Sequence, residues 1–277
     1  MNAYVHPLMK YIRKGGLPQP HCAGCGNGII AQCTLRAIDE LALDMNSMVF
    51  VSGIGCSSWI PSPLFNADVL HATHGRAITF ATGVKLASPN THVVVFTGDG
   101  DGAGIGGNHL IHAARRNIGL TVILVNNFIY GMTGGQVAPT TPYGARTSTT
   151  PFGNLEHPFD LCKLMQGAGA TYVARWTTFQ VKLLTASIKR ALGKKGFAFI
   201  EVVSQCPVQY GRRIGMDDPA KMMRWFKENS VSIQKAKEMS SEELKNRIVV
   251  GVFVDVEAPE LTEEYQKLFM RLRYGKN

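Results

Sequence analysis

Four short runs in this chain, residues 48–51, 92–96, 121–125 and 197–203, are almost wholly apolar and rich in β-branched side chains. Continuous apolar runs of this length predict strands buried on both faces, as in a parallel sheet. Between them the period changes. Ile29, Cys33, Ala37 and Leu41 recur at every fourth position and predict a helix over 28–43. Residues 108–116 and 178–192 predict two more helices. Strand and helix alternate, which predicts an α/β fold with a parallel sheet and helices on both faces. Residues 131–158 break the pattern, being dense in Gly, Pro, Thr and Ser without any period. Structureless segments this long are uncommon in compact domains and are often active-site loops. After Met216 the chain turns charged. Helices are expected at 221–237 and 240–246, then an apolar strand at 248–254 and an acidic-then-basic tail. We read a domain over 1–215 and a C-terminal extension over 216–277 that packs on it or on a partner.

Composition narrows the function classes. Hydrophobic residues make up 45% and charged residues 18% of the 277, as in an ordinary globular protein. No apolar run approaches the roughly 20 residues of a membrane-spanning helix. Residues 1–15 lack an apolar stretch with a cleavage site, so a cytoplasmic location is expected and no membrane partner. The net charge of +9 is spread along the chain without a dense basic tract. With no nucleic-acid recognition motif present, it fits an acidic protein partner or anionic ligands better.

The sharpest chemical signal is Gly98-Asp99-Gly100-Asp101-Gly102, which closes one predicted strand. Asn127 follows Asp99 by twenty-eight positions and ends the next strand, so both reach one edge of the sheet. Ligands in such sheets sit beyond the carboxyl ends of the strands. A carboxylate and a carboxamide oxygen suit Mg²⁺, which also takes phosphate oxygens. Gly100 and Gly102 are expected to admit backbone N–H groups to a diphosphate, with the following helix N-terminus aimed at it. A dinucleotide site is the weaker rival. It needs an acidic residue about 20 positions on, where residues 120–125 are apolar.

Six cysteines in such a chain argue for metal or core roles rather than disulfides. Cys22 and Cys25 form a C-x-x-C in a Gly-rich loop. Cys56 and Cys206 each follow a predicted strand, where they can meet the first pair. Four thiolates can hold a [4Fe–4S] cluster or Zn²⁺, and the two-plus-one-plus-one pattern leans towards iron. Cys33 and Cys162 lie in apolar, helix-like stretches and read as core. His109 and His112 lack a third ligand and read as structural. Arg212 and Arg213 follow the Cys206 loop, where they either attract anions or tune the cluster, or are solvated charge.

The Gly-Asp-Gly with its distant Asn126-Asn127 resembles the thiamine pyrophosphate motif. On that resemblance Asp99, Asn127 and the Ile129 carbonyl are Mg²⁺ ligands, and Gly131 and Met132 line the cofactor. Pro20–Gly26, Gly53–Ser57, His74-Gly75-Arg76, the 98–107 run, residues 126–136 and Cys206-Pro207 resemble, in order over about residues 15–215, the β subunit of the 2-oxoacid:ferredoxin oxidoreductases. The resemblance implies a [4Fe–4S] cluster on Cys22, Cys25, Cys56 and Cys206. It implies cofactor contacts from Ile54, Gly55, Cys56, Ser57, His74, Gly100 and Asp101, with His74 facing cofactor or substrate in a catalytic or binding role. It implies coenzyme A-dependent oxidative decarboxylation of a 2-oxoacid, with electrons leaving to ferredoxin, or the reverse carboxylation. The region around Tyr130–Gln136 favours 2-oxoglutarate, against pyruvate or a branched-chain 2-oxoacid. A non-redox thiamine-dependent decarboxylase subunit is the alternative, and a non-catalytic cluster scaffold a further rival. Glu40, Glu156 and Glu201 are poorly placed to activate thiamine. An α subunit is therefore expected to supply that acid, in an (αβ)₂ assembly.

Overall fold

Parallel strands dominate the computed structural model, which describes residues 5–275. Residues 1–4 of the polar N-terminal segment and 276–277 of the tail lie outside the described residues. The elements run α1 (Asn27–Glu40), β1 (Met48–Ser52), β2 (Asp68–His71), α2 (Ala77–Ala87), β3 (His92–Gly98), α3 (Gly107–Arg115) and β4 (Leu120–Asn126). Then follow α4 (Leu161–Gly167), β5 (Tyr172–Thr177), α5 (Val181–Leu192), β6 (Ala198–Val203) and α6 (Pro219–Asn229). The chain closes with β7 (Ser230–Ser232), α7 (Ile233–Ala236), α8 (Ser241–Leu244), β8 (Ile248–Asp255) and α9 (Leu261–Tyr274). The eight strands form one sheet in the order β2-β1-β3-β4-β6-β5-β8-β7, parallel except for β8 against β5.

The apolar runs are strands because both their faces are covered. Every residue of β4 and β6 is buried. One face packs on α1 and α5 through Ile30, Ala37, Leu184 and Ile188. The other packs on α2, α3 and α4 through Ile78, Leu110 and Met165. Register places Ser52 beside Phe96, Gly98 beside Val125 and Asn126 beside Val203. The loops after β1, β3, β4 and β6 thus leave the sheet at one edge, where the four sequence motifs begin.

Three departures from the sequence reading have physical causes. The strand β5 was hidden by Arg175, a charge in a segment that ends up buried. Arg175 is tolerated there because its guanidinium bonds Glu201 at 2.7 Å and Asp160 at 2.6 Å. The helix expected over 221–237 stops at Asn229, where the Ser230 hydroxyl donates to the Phe226 carbonyl and the chain crosses into β7. Residues 248–255 join the main sheet as β8, beside β5. The tail also docks on the domain. Glu260 caps α9 and accepts the Gly119 amide at 2.7 Å, and Asn117 donates to the Pro259 carbonyl at 2.8 Å.

Candidate cofactor and metal site

At the carboxyl edge of β3 the carboxylates of Asp99 and Asp101 are both buried, and they have different tasks. Asp101 is a clamp. Its Oδ1 accepts from the amides of Ile54 at 3.2 Å and Gly75 at 2.7 Å and pairs with His74 Nδ1 at 2.5 Å; its Oδ2 accepts from Thr97 Oγ1 at 2.6 Å. The carboxylate therefore ties the loops after β1 and β2 to the β3 end. Gly53 has to be glycine, since a Cβ there would lie 2.0 Å from the carboxylate. With Nδ1 donating to Asp101, the remaining ring nitrogen of His74 is free for the pocket that His74 lines.

Asp99 is the opposite case. It has one side-chain donor, Thr140 Oγ1 at 2.5 Å on Oδ2. Burial pushes its carboxyl up to about 7, against the pull of Thr140 and backbone amides. The Asn127 carboxamide tip lies 3.3 Å from Asp99 Oδ1 and 2.7 Å from the Ile129 carbonyl oxygen. With nitrogen inward, the carboxamide bridges the two. With oxygen inward, three oxygens face one point, an arrangement that calls for a cation between them. This donor set fits Mg²⁺.

The turn that builds the set is strained. Phe128 sits at φ 64°, uncommon for a bulky residue, and swings the Ile129 carbonyl back towards Asn127. The strain is held by neighbours. The Phe128 amide donates to Asn126 Oδ1, and Thr141 Oγ1 donates to the Phe128 carbonyl at 2.6 Å. Asn126 in turn donates to the buried Glu201 at 2.7 Å, and Glu201 pairs with Arg175. Burial opposes the Arg175 charge, but Glu201 and Asp160 outweigh it and hold the guanidinium cationic. This buttress was not legible in the sequence, where Glu201 was an acid inside a strand. Tyr172-Val173-Ala174-Arg175, paired in register with Ala198–Glu201, was the only signal, and it required the strand pairing.

The two glycines also have a packing task. Gly100 lies beneath the Tyr130 ring, where a Cβ would sit 2.2 Å from Cε1, and Gly102 lies against Thr97. Tyr130 OH closes the contact by donating to the Gly100 carbonyl at 2.9 Å. Both glycines thus make room for packed side chains. The segment Asp99–Ile105 is a π-helical turn, and α3 begins only at Gly107.

The cysteines come together from three loops. In the first, Gly24 takes φ 75° with its open side pressed on Pro219, and the Gly26 amide donates to the Gln205 carbonyl at 3.2 Å. That bond joins the Cys25 loop to the Cys206 loop. His21, whose ring contacts Gln19, also contacts the Cys56 carbonyl at 3.2 Å. Burial pushes the Cys25 thiol up to about 12, and thiolates at Cys206, Cys56 and Cys22 push in the same direction. Burial pushes Cys56 to about 11, with Cys206 and Cys22 adding to it. The four sulfurs are thus near enough to repel one another as thiolates, which a cationic iron centre relieves. Among the described residues no three His, Cys, Asp or Glu side chains converge on a single-ion site. A donor set of four thiolates drawn from three loops fits a [4Fe–4S] cluster. Cys33 and Cys162 are buried in the two core layers. Among the described residues His109 and His112 belong to no group that could hold a metal ion.

The oxygen set and the cysteine set touch at one residue. A Cβ on Gly131 would lie 3.7 Å from Cys56 Sγ, 3.8 Å from Cys206 Sγ and 3.7 Å from the Asn127 Nδ2 position. Around this point one pocket gathers Ile54, Gly55, Cys56, Ser57, His74, Asp99, Gly100, Asp101, Asn127, Ile129, Gly131 and Met132.

Fold and site together define a thiamine-pyrophosphate-binding α/β domain. Residues 53–202 match the family described as thiamine pyrophosphate enzyme, C-terminal TPP binding domain. A 2-oxoglutarate synthase subunit KorB from Methanocaldococcus jannaschii is 58% identical over 97% of this chain and 99% of its own length. A 2-oxoacid:ferredoxin oxidoreductase subunit beta from Saccharolobus solfataricus is 46% identical over 67% of this chain and 61% of its own. The solved 2-oxoglutarate:ferredoxin oxidoreductase of Magnetococcus marinus, with 2-oxoglutarate, coenzyme A and succinyl-CoA bound, superimposes at a TM-score of 0.85. It is 32% identical, covering 98% of this chain and 92% of that one. The chain belongs to the β-subunit family of the 2-oxoacid:ferredoxin oxidoreductases.

Proposed function

We propose that this chain is the β subunit of a 2-oxoglutarate:ferredoxin oxidoreductase. With an α subunit it would couple oxidative decarboxylation of 2-oxoglutarate, in the presence of coenzyme A, to reduction of ferredoxin, or run the reverse carboxylation. The observation that carries this reading is the meeting of the two donor sets at Gly131. A redox centre set against the cofactor pocket serves electron removal from the substrate and has no use in a simple decarboxylase. The 2-oxoglutarate relatives support the choice of substrate.

In this reading Asp99, Asn127 and the Ile129 carbonyl would hold Mg²⁺ and, through it, the diphosphate. Cys22, Cys25, Cys56 and Cys206 would hold a [4Fe–4S] cluster. Thiamine pyrophosphate, when bound, supplies the electron sink for cleavage beside a carbonyl, and the cluster accepts electrons singly. The protein's part is positional. Thr140 fixes Asp99, Tyr130 closes over the Gly100 loop, and Asp101 directs the outer nitrogen of His74 at the pocket.

Among the described residues the pocket offers no spare acid to activate the cofactor, which points to a partner as its source. Asp99 and Asp101 are the pocket's only carboxylates among the described residues, and both are engaged. Glu40 pairs with Lys189 on the surface, Glu156 is exposed, and Glu201 is bound to Arg175 and Asn126. Ile54, Trp59, Ile105 and Met132 are exposed apolar side chains, two of them on the pocket wall, a surface suited to burial under an α subunit. We extend this to an (αβ)₂ assembly in the cytoplasm; among the described residues no helix is long and apolar enough to cross a membrane. The test is kcat/KM of the αβ complex across 2-oxoacids with a viologen acceptor. Preference for 2-oxoglutarate is expected, and a clear preference for pyruvate rejects the substrate assignment.

A further inference from the structure

Arg213 lies seven residues beyond Cys206, on the turn Gly211–Ile214. That turn is folded back on the cysteine, because the amides of Tyr210 and Gly211 both donate to the Cys206 carbonyl, at 3.2 and 2.9 Å. The guanidinium is half-buried and fully directed. Nη1 donates to the Gln209 carbonyl at 2.7 Å and to Gln209 Oε1 at 2.8 Å, and Nη2 donates to the Gly134 carbonyl at 2.9 Å. It lies flat on Gly135, at φ 90°, where a Cβ would come within 2.7 Å of Cζ. The turn it grips begins at Gly131, the residue flanked by Cys56, Cys206 and Asn127. The Gly135 amide donates to the Tyr130 carbonyl at 2.9 Å, and Tyr130 is the side chain packed over the Asp99 loop.

All three acceptors of Arg213 are neutral oxygens. None of the ion pairs among the described residues includes it. The nearest acids in sequence do not cancel its charge: Asp218 caps α6 by accepting the Ala220 amide, and Asp217 is exposed. An oriented, uncompensated cation thus stands on the Cys206 loop and against a turn whose first residue, Gly131, is flanked by Cys56 and Cys206.

We propose that Arg213 is a positioning residue for the redox centre. It locks the Cys206 loop to the cofactor turn, and its charge raises the reduction potential of the cluster. The inference rests on the reading that the four cysteines hold a [4Fe–4S] cluster. Four thiolates make that centre anionic, and each added electron deepens the charge, so a fixed nearby cation favours the reduced state. Arginine suits both tasks, since its planar fork grips two loops at once while staying charged.

The test uses the αβ complex and three variants, with iron and sulfide content, midpoint potential and thiamine pyrophosphate affinity as readouts. Gln209→Glu is the cleanest, because it is isosteric, keeps the contact at Oε1 and neutralises the arginine without removing it. Gln209→Glu and Arg213→Gln should each keep iron and shift the potential to more negative values. Arg213→Lys should hold the wild-type potential but, with the fork lost, weaken thiamine pyrophosphate binding about tenfold, as loss of an outer-sphere support does. A cluster-loaded Gln209→Glu variant at the wild-type potential overturns the charge role, even if Arg213→Gln fails to fold. Arg213→Lys with unchanged cofactor affinity overturns the clamp. Absence of iron and sulfide from the wild-type complex refutes the cluster reading itself, and the inference with it.

Discussion

The oxygen set and the cysteine set lie side by side but are built on different principles. Asp99 and Asn127 stand at the ends of central, largely buried strands, and their geometry is fixed by Thr140, Thr141, Asn126, Glu201 and Arg175. The cysteines ride on three loops, are partly or fully exposed at Cys22, Cys25, Cys56 and Cys206, and are joined by a few bonds such as Gly26 to Gln205 and His21 to Cys56. The first site is organised by the fold before any ion binds. The second brings together groups whose charged forms repel one another, so its order depends on the metal it would hold.

The contrast predicts its own breaking points. The largest effect is expected from Asp99→Ala. Thiamine pyrophosphate binding and turnover should fall to background while the melting temperature holds or rises, because a buried carboxyl that prefers to be neutral is gone. Retained cofactor content, measured on the purified complex, would remove Asp99 from the metal site. Next comes Cys56→Ala or Cys206→Ala. Iron and visible absorbance should be lost while thiamine pyrophosphate still binds, since the oxygen set does not lean on the cysteines. Loss of both together would mean that the two sites are one structural unit. Glu201→Ala should cost about 1–3 kcal/mol in denaturant unfolding, because it leaves Asn126 and the Arg175 Nε without their buried acceptor while Asp160 still pairs the charge. It should also weaken cofactor binding about 10- to 100-fold through Asn126.

A pH dependence follows from Asp99. Its folded value, near 7, lies above the ordinary 3.8, so the folded metal-free protein holds the proton more tightly than the unfolded chain. That contribution to stability is complete below about pH 4 and is lost as pH rises through 7. Mg²⁺ needs the carboxylate, so Mg²⁺-dependent cofactor affinity should fall about tenfold per pH unit below 7. Titration calorimetry between pH 5.5 and 8 checks this, and a flat profile would place the ionised group elsewhere. The smallest effects are expected from Cys33→Ala and Cys162→Ala. Both should leave iron content at the wild-type level, and comparable depletion would mean that the cysteines were wrongly sorted.

What could be read from the sequence follows the same division. The central strands were legible because each is an unbroken apolar run, and Asp99 and Asn127 because the motif sits where such strands end. Cys22, Cys25, Cys56 and Cys206 were separable from Cys33 and Cys162 by their glycine or proline neighbours. The supports were not legible. Thr140 belongs to a segment without period, Arg175 gave no signal until its strand paired with β6, and Arg213 shared with Arg212 one reading, anion or cluster tuning against solvated charge, that nothing local could separate. A side chain whose partner lies far away in sequence leaves no local pattern. The packing task of the glycines was hidden for a related reason: Gly100 is required by Tyr130, thirty positions away.

On the proposed reading this chain carries the cofactor and redox half of a shared active site, and an α subunit supplies the acid that starts the chemistry. The direct measurement is 2-oxoglutarate-dependent reduction of a viologen dye by the purified chain, reconstituted with thiamine pyrophosphate, Mg²⁺ and a full cluster, before and after adding the α subunit. No turnover by the chain alone, and turnover on adding the α subunit, is the predicted result; turnover by the chain alone would contradict it.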